Sequence, residues 1–277
     1  MTNIVNPAVK FSYNIIKGSI SERRRMIADY NKKIFNEVCE HIEGKKIYKG
    51  DLQKSIEKVL PEKKKIEVLS AKKSNVVSGA SDYIYGKKNE IIGQTIEMPM
   101  KSGKMAQTNI AVFMHELTHV MDALVNPKLT ARTNRMYQHN LYTKEYDNLM
   151  FNTLYKYEKV NSSTPKKQKD EIIQKRKEQV LQFLKGKKTE DKIDYIQELK
   201  NSLLTEKNAF TEEHIYAKKL EKNNIKSDED SLNDSRLGYM FNEKIQMLHE
   251  IGLDIIAKAR KEFAQKLARK NKKKNKL

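Results

Sequence analysis

The feature that most constrains the fold of this chain is the motif H-E-L-T-H at residues 115–119, which lies inside an apolar segment. Hydrophobic residues fill positions 110–114 before it, and Val120 follows it directly. Side chains at positions i and i+4 lie on the same face of a helix. The sequence therefore predicts a helix that brings His115 and His119 together on one side.

Signals on both sides of the motif support this helix. Thr108 or Asn109 can cap its first turn, and the apolar pattern continues to about Val125. The following Asn126 and Pro127 are typical of a helix end. The motif is thus predicted to lie in the middle of the helix.

His115, Glu116 and His119 are the residue types that a hydrolytic zinc site requires. Imidazole nitrogens are common zinc ligands, and His115 and His119 have the spacing for one shared ion. A bound zinc ion lowers the pKa of its water to about 7, and the Glu116 carboxylate is placed to complete the deprotonation as general base. The alternative is a pair of ordinary histidines on an amphipathic helix, because short motifs also arise by chance.

A catalytic zinc site usually has three protein ligands and keeps one position open. The pattern with a third histidine six residues after His119 is excluded, because the required glycine and histidine positions hold Asp122 and Val125. An acid on a later helix is therefore expected as the third ligand.

Glu206 is the preferred acid. It shares one predicted helix face with Phe210 and Glu213, and Ala209 would let that helix pack closely beside the first. Each acid of this chain could instead lie on a solvated helix face. The alternatives to Glu206 are Glu213, Glu145 and Asp147.

The zinc motif with Asp122 behind it, and the later Glu206-x-x-Ala209, resemble the gluzincin metallopeptidases. Within that family the chain is most similar to compact toxin-type members, such as the catalytic domain of anthrax lethal factor and the Pro-Pro endopeptidases. The resemblance covers about residues 75–220. It implies His115, His119 and Glu206 as ligands of one Zn²⁺ per chain and Glu116 as the base.

The chain also departs from the pattern of that family. The 86 residues between His119 and Glu206 exceed the spacing in compact members, so a helical insertion is expected. The relatives carry a transition-state tyrosine seven residues before the ligand Glu, where this chain has Leu199. Tyr195 or Tyr216 could provide the oxyanion contact instead, or could be ordinary packed aromatics.

Asp122 lies one turn after His119 and is a candidate for a supporting contact. A carboxylate there could hold a zinc-bound imidazole in its tautomer and orientation. The alternative is an acid on the helix surface, and the sequence favours neither.

Short β-rich runs precede the motif at residues 66–69, 75–79, 82–85 and 90–98, and residues 86–89 predict a hairpin turn. In zincin domains an edge strand of such a sheet runs along the cleft and binds the substrate backbone. The predicted edge strand consists of Gln94, Thr95, Ile96, Glu97 and Met98.

The remaining patterns are helical, and the expected fold class is α+β: zincin-like, mostly helical, with a small mixed sheet before the active-site helix. The expected parts are a helical region over 1–62, a metallopeptidase core with a helical insertion over 63–225, and a helix with a basic tail over 226–277. The predicted helices span 21–42, 51–60, 143–160, 165–184, 190–204, 205–220 and 239–267.

Charge and composition limit which partners and which cellular compartment are expected. The net charge is +19, and residues 258–277 hold ten Lys or Arg against Glu262 alone. The basic tail could bind an anionic partner, either an acidic protein or a membrane surface, or could serve solubility only. No pattern for specific nucleic-acid recognition is visible.

No apolar window of about 20 residues predicts a membrane span, and residues 1–17 lack the apolar core of a signal peptide. Cys39 is the single cysteine, so no intramolecular disulfide is expected. The expected location is the cytoplasm, or a host cytosol reached by a route other than Sec export.

These observations predict a zinc-dependent endopeptidase that hydrolyses a protein substrate, as a bacterial toxin or secreted effector inside a host cell. One alternative is an intracellular housekeeping or phage-encoded peptidase. The other is a basic binding protein that retains a zincin core without using it.

Overall fold

The structure is a computed structural model that describes residues 20–60, 65–71, 79–87, 91–126, 133, 135–225 and 238–274. The described chain is mostly helical and contains a small mixed β-sheet, which confirms the α+β class expected from the sequence. Within these residues, no helix is both long and apolar enough to cross a membrane.

The chain divides into two compact units. The first comprises Met1–Gln138 and Thr205–Asp234, and the second comprises His139–Leu204 and Ser235–Leu277. Most of the segment between His119 and Glu206 therefore belongs to the same unit as the C-terminal residues. The boundaries expected at residues 63 and 226 stay predictions.

Three helices that lie wholly within the first unit contribute to its core. They are α1 (Ile20–Glu40), α2 (Lys49–Val59) and α3 (Ile110–Val125). An apolar stripe along α1 that contains Ile27, Ile34 and Val38 is buried in this core. Helix α3 follows a single 3₁₀ turn, and its side chains are buried on nearly all sides. This central position explains why the sequence around the motif is apolar throughout.

The larger sheet consists of β2 (Lys65–Ser70), β3 (Ala80–Tyr85) and β4 (Ile91–Met98) in the order β2-β4-β3. β2 is parallel to β4, and β3 is antiparallel to it. The strand regions expected at 66–69, 82–85 and 90–98 are confirmed where described. The runs at 75–78 and 88–89 lie outside the described residues.

The prediction of an edge strand over Gln94, Thr95, Ile96, Glu97 and Met98 was wrong. These residues belong to β4, which has β2 on one side and β3 on the other, so its backbone groups are already paired. The Gln94 side chain instead faces α3, where its Nε2 donates to the Val120 carbonyl at 3.4 Å.

A second, two-stranded sheet pairs β1 (Lys46–Tyr48) with β5 (Lys104–Ala106) in antiparallel register. This sheet was not predicted from the sequence. Its central residues Ile47 and Met105 lie opposite each other and are both 0% exposed. It thus closes one side of the core immediately before α3 begins.

The second unit is helical in the described residues. It contains α4 (Lys144–Leu149), which continues as a π-helix over Met150–Leu154, and α5 (Lys166–Leu184). It also contains α7 (Phe241–Lys274). The two helices predicted over 190–204 and 205–220 form one continuous helix, α6 (Thr189–Lys222), whose second half belongs to the first unit.

Candidate metal centre

The two histidines of the motif converge as their spacing on α3 predicts. Their Nε2 atoms lie 3.2 Å apart. The side chain of His115 is 9% exposed and that of His119 is 20% exposed, so the pair lies at the boundary of the core and remains accessible.

Helix α6 brings Glu206 to the same point. One of its carboxylate oxygens lies 3.6 Å from His115 Nε2, and the other lies 3.0 Å from His119 Nε2. The three residues offer one ligand atom each within 4.8 Å of one another, and this group could hold a metal ion. They are the only such group among the described residues.

Residues on one face of α6 contact the His115 ring on more than one side. Phe210 packs edge-on against it, with ring centroids 4.7 Å apart, and Ala209 is completely buried beside the core. Glu213 Oε2 lies 2.8 Å from His115 Nδ1. The predicted common face of Glu206, Phe210 and Glu213 is therefore confirmed by contacts with a single imidazole.

The contact with Glu213 determines how His115 can serve as a ligand. A carboxylate that accepts a hydrogen bond from Nδ1–H leaves the lone pair of the other ring nitrogen, Nε2, directed toward His119 and Glu206. Glu213, an alternative third ligand in the sequence analysis, lies instead on the opposite side of the ring. It is buried and orients the His115 imidazole.

The electrostatics of the cluster favour positive charge at the imidazoles. Burial lowers the pKa of His115, but the hydrogen bonds with Glu206 and Glu213 outweigh it and raise the pKa to about 10. Burial also raises the pKa of Glu206, and the hydrogen bonds from both histidines more than reverse this effect and lower it. A proton or a metal cation can satisfy these carboxylates.

Glu116 lies on α3 beside the cluster and is 8% exposed. Burial raises the pKa of its carboxyl group, against the opposing effects of both histidines and of a hydrogen bond from the Ser81 side chain. A Cβ atom added at Gly79 would lie 3.0 Å from Glu116 Cγ. The start of β3 thus closely confines the Glu116 side chain.

Asp122 is buried, at 8% exposed, and is not the surface acid that the sequence left as an alternative. Its carboxylate lies 3.5 Å from the Asn208 amide nitrogen on α6. Burial raises its pKa to about 6, and the nearby His119 works in the opposite direction. Asp122 therefore adds negative charge behind His119.

A buried amide also holds the helices around the site together. Asn31 on α1 is 0% exposed, and its Nδ2 donates to Thr118 Oγ1 at 3.0 Å and to Glu212 Oε2 at 3.4 Å. Thr118 in turn donates to the Met114 carbonyl within α3. This contact joins α1, α3 and α6 next to His119.

The remaining candidates lie elsewhere. Glu145 and Asp147 are in the first turn of α4, in the second unit. The Tyr195 hydroxyl donates to the Leu141 carbonyl at 2.8 Å within that unit. Tyr216 is 2% exposed and packs on Phe35. Each of the two tyrosines thus has a partner within its own unit, Leu141 for Tyr195 and Phe35 for Tyr216.

Sequence reasoning missed Gly79, Ser81 and Asn31. Ser81 and Gly79 contact Glu116 only because β3 folds back on α3, and no local pattern indicates such an approach. The interior position of Asn31 on the apolar stripe of α1 was the available signal, since a buried amide needs partners.

Comparison with known proteins adds no assignment. No protein-family model matches this chain, and no curated protein and no solved structure is significantly similar to it. The function must therefore be inferred from the site itself.

Proposed function

We propose that this protein is a zinc-dependent endopeptidase of the gluzincin type, with a zincin fold in its first unit. The observation that carries the proposal is the convergence of His115, His119 and Glu206 around one point, with the buried carboxylate of Glu116 beside them. A metal group together with a neighbouring base is the combination that hydrolysis of an amide bond requires.

The donor spacing fits zinc. Zn²⁺ binds imidazole nitrogen and carboxylate oxygen at about 2.0–2.2 Å, so two donors of a tetrahedral site lie roughly 3.3 Å apart. The two imidazole nitrogens of this cluster are 3.2 Å apart, and one Glu206 oxygen lies 3.0 Å from His119 Nε2 while the other lies 3.6 Å from His115 Nε2. Three protein donors would leave the fourth position for water or substrate, as in catalytic rather than structural sites.

A bound zinc ion would supply Lewis-acid polarisation of the substrate carbonyl and would lower the pKa of a coordinated water to about 7. The protein supplies the proton transfers. Glu116 would accept a proton from the attacking water as the new C–O bond forms. It would then deliver that proton to the leaving nitrogen as the peptide C–N bond of the tetrahedral intermediate breaks. The pKa of Glu116 is raised by its burial, which suits a group that accepts and then returns a proton.

The substrate class we propose is a protein, and the biological role is that of a bacterial toxin or secreted effector inside a host cell. This role rests on the resemblance of the motif to toxin-type gluzincins. Inside a host cell, the basic C-terminal segment would attract an anionic partner. A housekeeping peptidase would share the chemistry, whereas a binding protein would have no use for Glu116.

Metal content and its dependence on single residues test the site. One zinc per chain is expected after reconstitution, with occupancy lost in His119→Ala and strongly reduced in Glu206→Gln. Glu145→Gln is the matched control, because it removes the same charge from an alternative ligand candidate in the other unit. Zinc binding that survives Glu206→Gln and fails in Glu145→Gln would overturn the ligand set.

Inhibition tests the link between metal and activity. Phenanthroline should abolish peptide cleavage, and added zinc should restore it. Cleavage that persists after complete removal of the metal would contradict the proposed enzyme class.

A further inference from the structure

We infer that Tyr83, Tyr85 and Tyr137 form a substrate subsite that selects an aromatic side chain near the cleaved bond. This inference rests on the proposed peptidase function and concerns its specificity. We call these three residues the tyrosine group. Its rings are in mutual contact: Tyr85 stacks on Tyr137 with centroids 4.6 Å apart and planes at 16°, and Tyr83 meets Tyr85 edge-on at 6.3 Å.

The register of the sheet places this group on the face that carries the catalytic base. Side chains at alternate positions of a strand share one face, so Ser81 and Tyr83 point the same way from β3. The pairing with β4 shifts register between Ile84 and Tyr85, but the edge-on contact between the Tyr83 and Tyr85 rings shows that Tyr85 lies on the same side. Ser81 hydrogen-bonds to Glu116 on α3. Tyr83 pairs with Gln94, whose side chain also reaches α3. The tyrosine group therefore extends from Glu116 along β3.

The position of β3 makes this face accessible to a peptide. Among the described strands β3 pairs only with β4, so β3 lies at an edge of the sheet, whereas residues 94–98 of β4 do not. An extended peptide beside β3 would place its own side chains over the same face. At about 3.3 Å per residue, Tyr83 and Tyr85 lie roughly 7 and 13 Å beyond Ser81, the span of two to four substrate residues.

Exposure and charge identify the occupant. Tyr137 is 39% exposed, so its ring can accept another ring by stacking. Tyrosine faces also attract cations, but the exposed Lys87, two residues after the end of β3, and the exposed Arg135, two residues before Tyr137, are like charges that disfavour a basic side chain here. A phenylalanine, tyrosine or tryptophan of the substrate is therefore the expected occupant.

The test is cleavage of a random mixture of synthetic ten-residue peptides by the full-length, zinc-loaded protein, with the products sequenced by mass spectrometry. Aromatic residues should be enriched roughly threefold to tenfold at one position two to four residues from the cleaved bond, the range expected for one ring stack. Tyr137→Leu should lose this enrichment, and Tyr137→Phe should keep it.

Tyr48→Ala is the matched control, because Tyr48 is 40% exposed and lies in the other sheet. Random sequence around the cleaved bonds, or an enrichment that persists in Tyr137→Leu, would overturn the inference. A complete lack of cleavage would count against the peptidase function instead. In that case, capture of the same peptides on the Glu116→Gln protein tests the tyrosine group, which predicts aromatic enrichment in the retained fraction and its loss with Tyr137→Leu.

Discussion

Replacement of Glu213 by glutamine should weaken zinc binding without removing any ligand. In the structure, Glu213 Oε2 lies 2.8 Å from His115 Nδ1, and both side chains are buried, at 8% and 9% exposed. A hydrogen bond to a charged group contributes about 1.5–3 kcal/mol and a neutral one about 0.5–1.5 kcal/mol. The carboxylate also interacts more strongly with a doubly charged ion than with a competing proton.

The expected loss for Glu213→Gln is therefore about 1–2 kcal/mol, or roughly tenfold in the zinc dissociation constant. Glu213→Ala also frees the imidazole to rotate and should cost about 100-fold, the upper range for partners of ligand histidines. The assay is competition for zinc with a chromophoric chelator at constant pH, with circular dichroism to confirm folding. Glu221→Gln is the control, because it removes the same charge from an exposed position of α6. Zinc affinity in Glu213→Gln within twofold of the wild type would refute the orienting role.

Three further outcomes are expected. Gly79→Ala should lower peptide turnover about tenfold at unchanged zinc content, because the added Cβ would lie 3.0 Å from Glu116 Cγ and displace the carboxylate. Steady-state kinetics with metal analysis tests this prediction, and unchanged turnover would contradict it. Burial lowers the pKa of Lys244 from its ordinary value of 10.5 to about 8, so the unfolded chain binds more protons between these pH values. Between pH 8 and 10.5, the free energy of unfolding of the wild type should therefore rise by about 3 kcal/mol relative to that of Lys244→Met, as measured by denaturant titration. A difference between the two proteins that stays constant over this pH range would contradict the lowered pKa. Removal of residues 271–277 should leave zinc binding intact, because the metal group lies in the other unit, and should weaken any salt-dependent association with an anionic partner; loss of bound zinc after truncation would contradict this.

The parts of the site that follow helical spacing could be predicted from the sequence. His115 and His119 converge because four residues make about one turn, and Glu206, Phe210 and Glu213 share a face for the same reason. Which side of the imidazole each acid approaches could not be predicted. It depends on how α6 lies against α3, and this is determined by distant contacts such as the one between Asn31 and Thr118.

Strand order was the main failure, and its cause is physical. The alternation within β4 shows which residues face the core, but a strand buried on one face has the same pattern in the centre and at the edge of a sheet. Only the pairing of β2 with β4 decides the matter, and the partner residues Ile66 and Gln94 lie far apart in the sequence.

The helix predicted over 143–160 is shorter for a related reason. Its α-helical part ends at Leu149 and the π-helix that follows ends at Leu154, where the side chain of Lys244 is buried. Lys244 Nζ donates to the carbonyls of Leu154 and Lys156, at 2.8 and 3.0 Å. A partner 90 positions later replaces the next helical turn, and no local propensity indicates it.

The central claim is that Glu116 acts as the general base for hydrolysis at a zinc site. A paired measurement on two proteins tests it most directly. Zinc-loaded wild type and Glu116→Gln are incubated with one cell lysate, and the new protein termini are quantified by mass spectrometry beside the zinc content of each protein. We predict one zinc per chain in both, with new termini at defined sites for the wild type and a decrease of about 10² to 10⁴-fold for the variant. Equal cleavage by the two proteins, or no zinc in the wild type, would contradict the account.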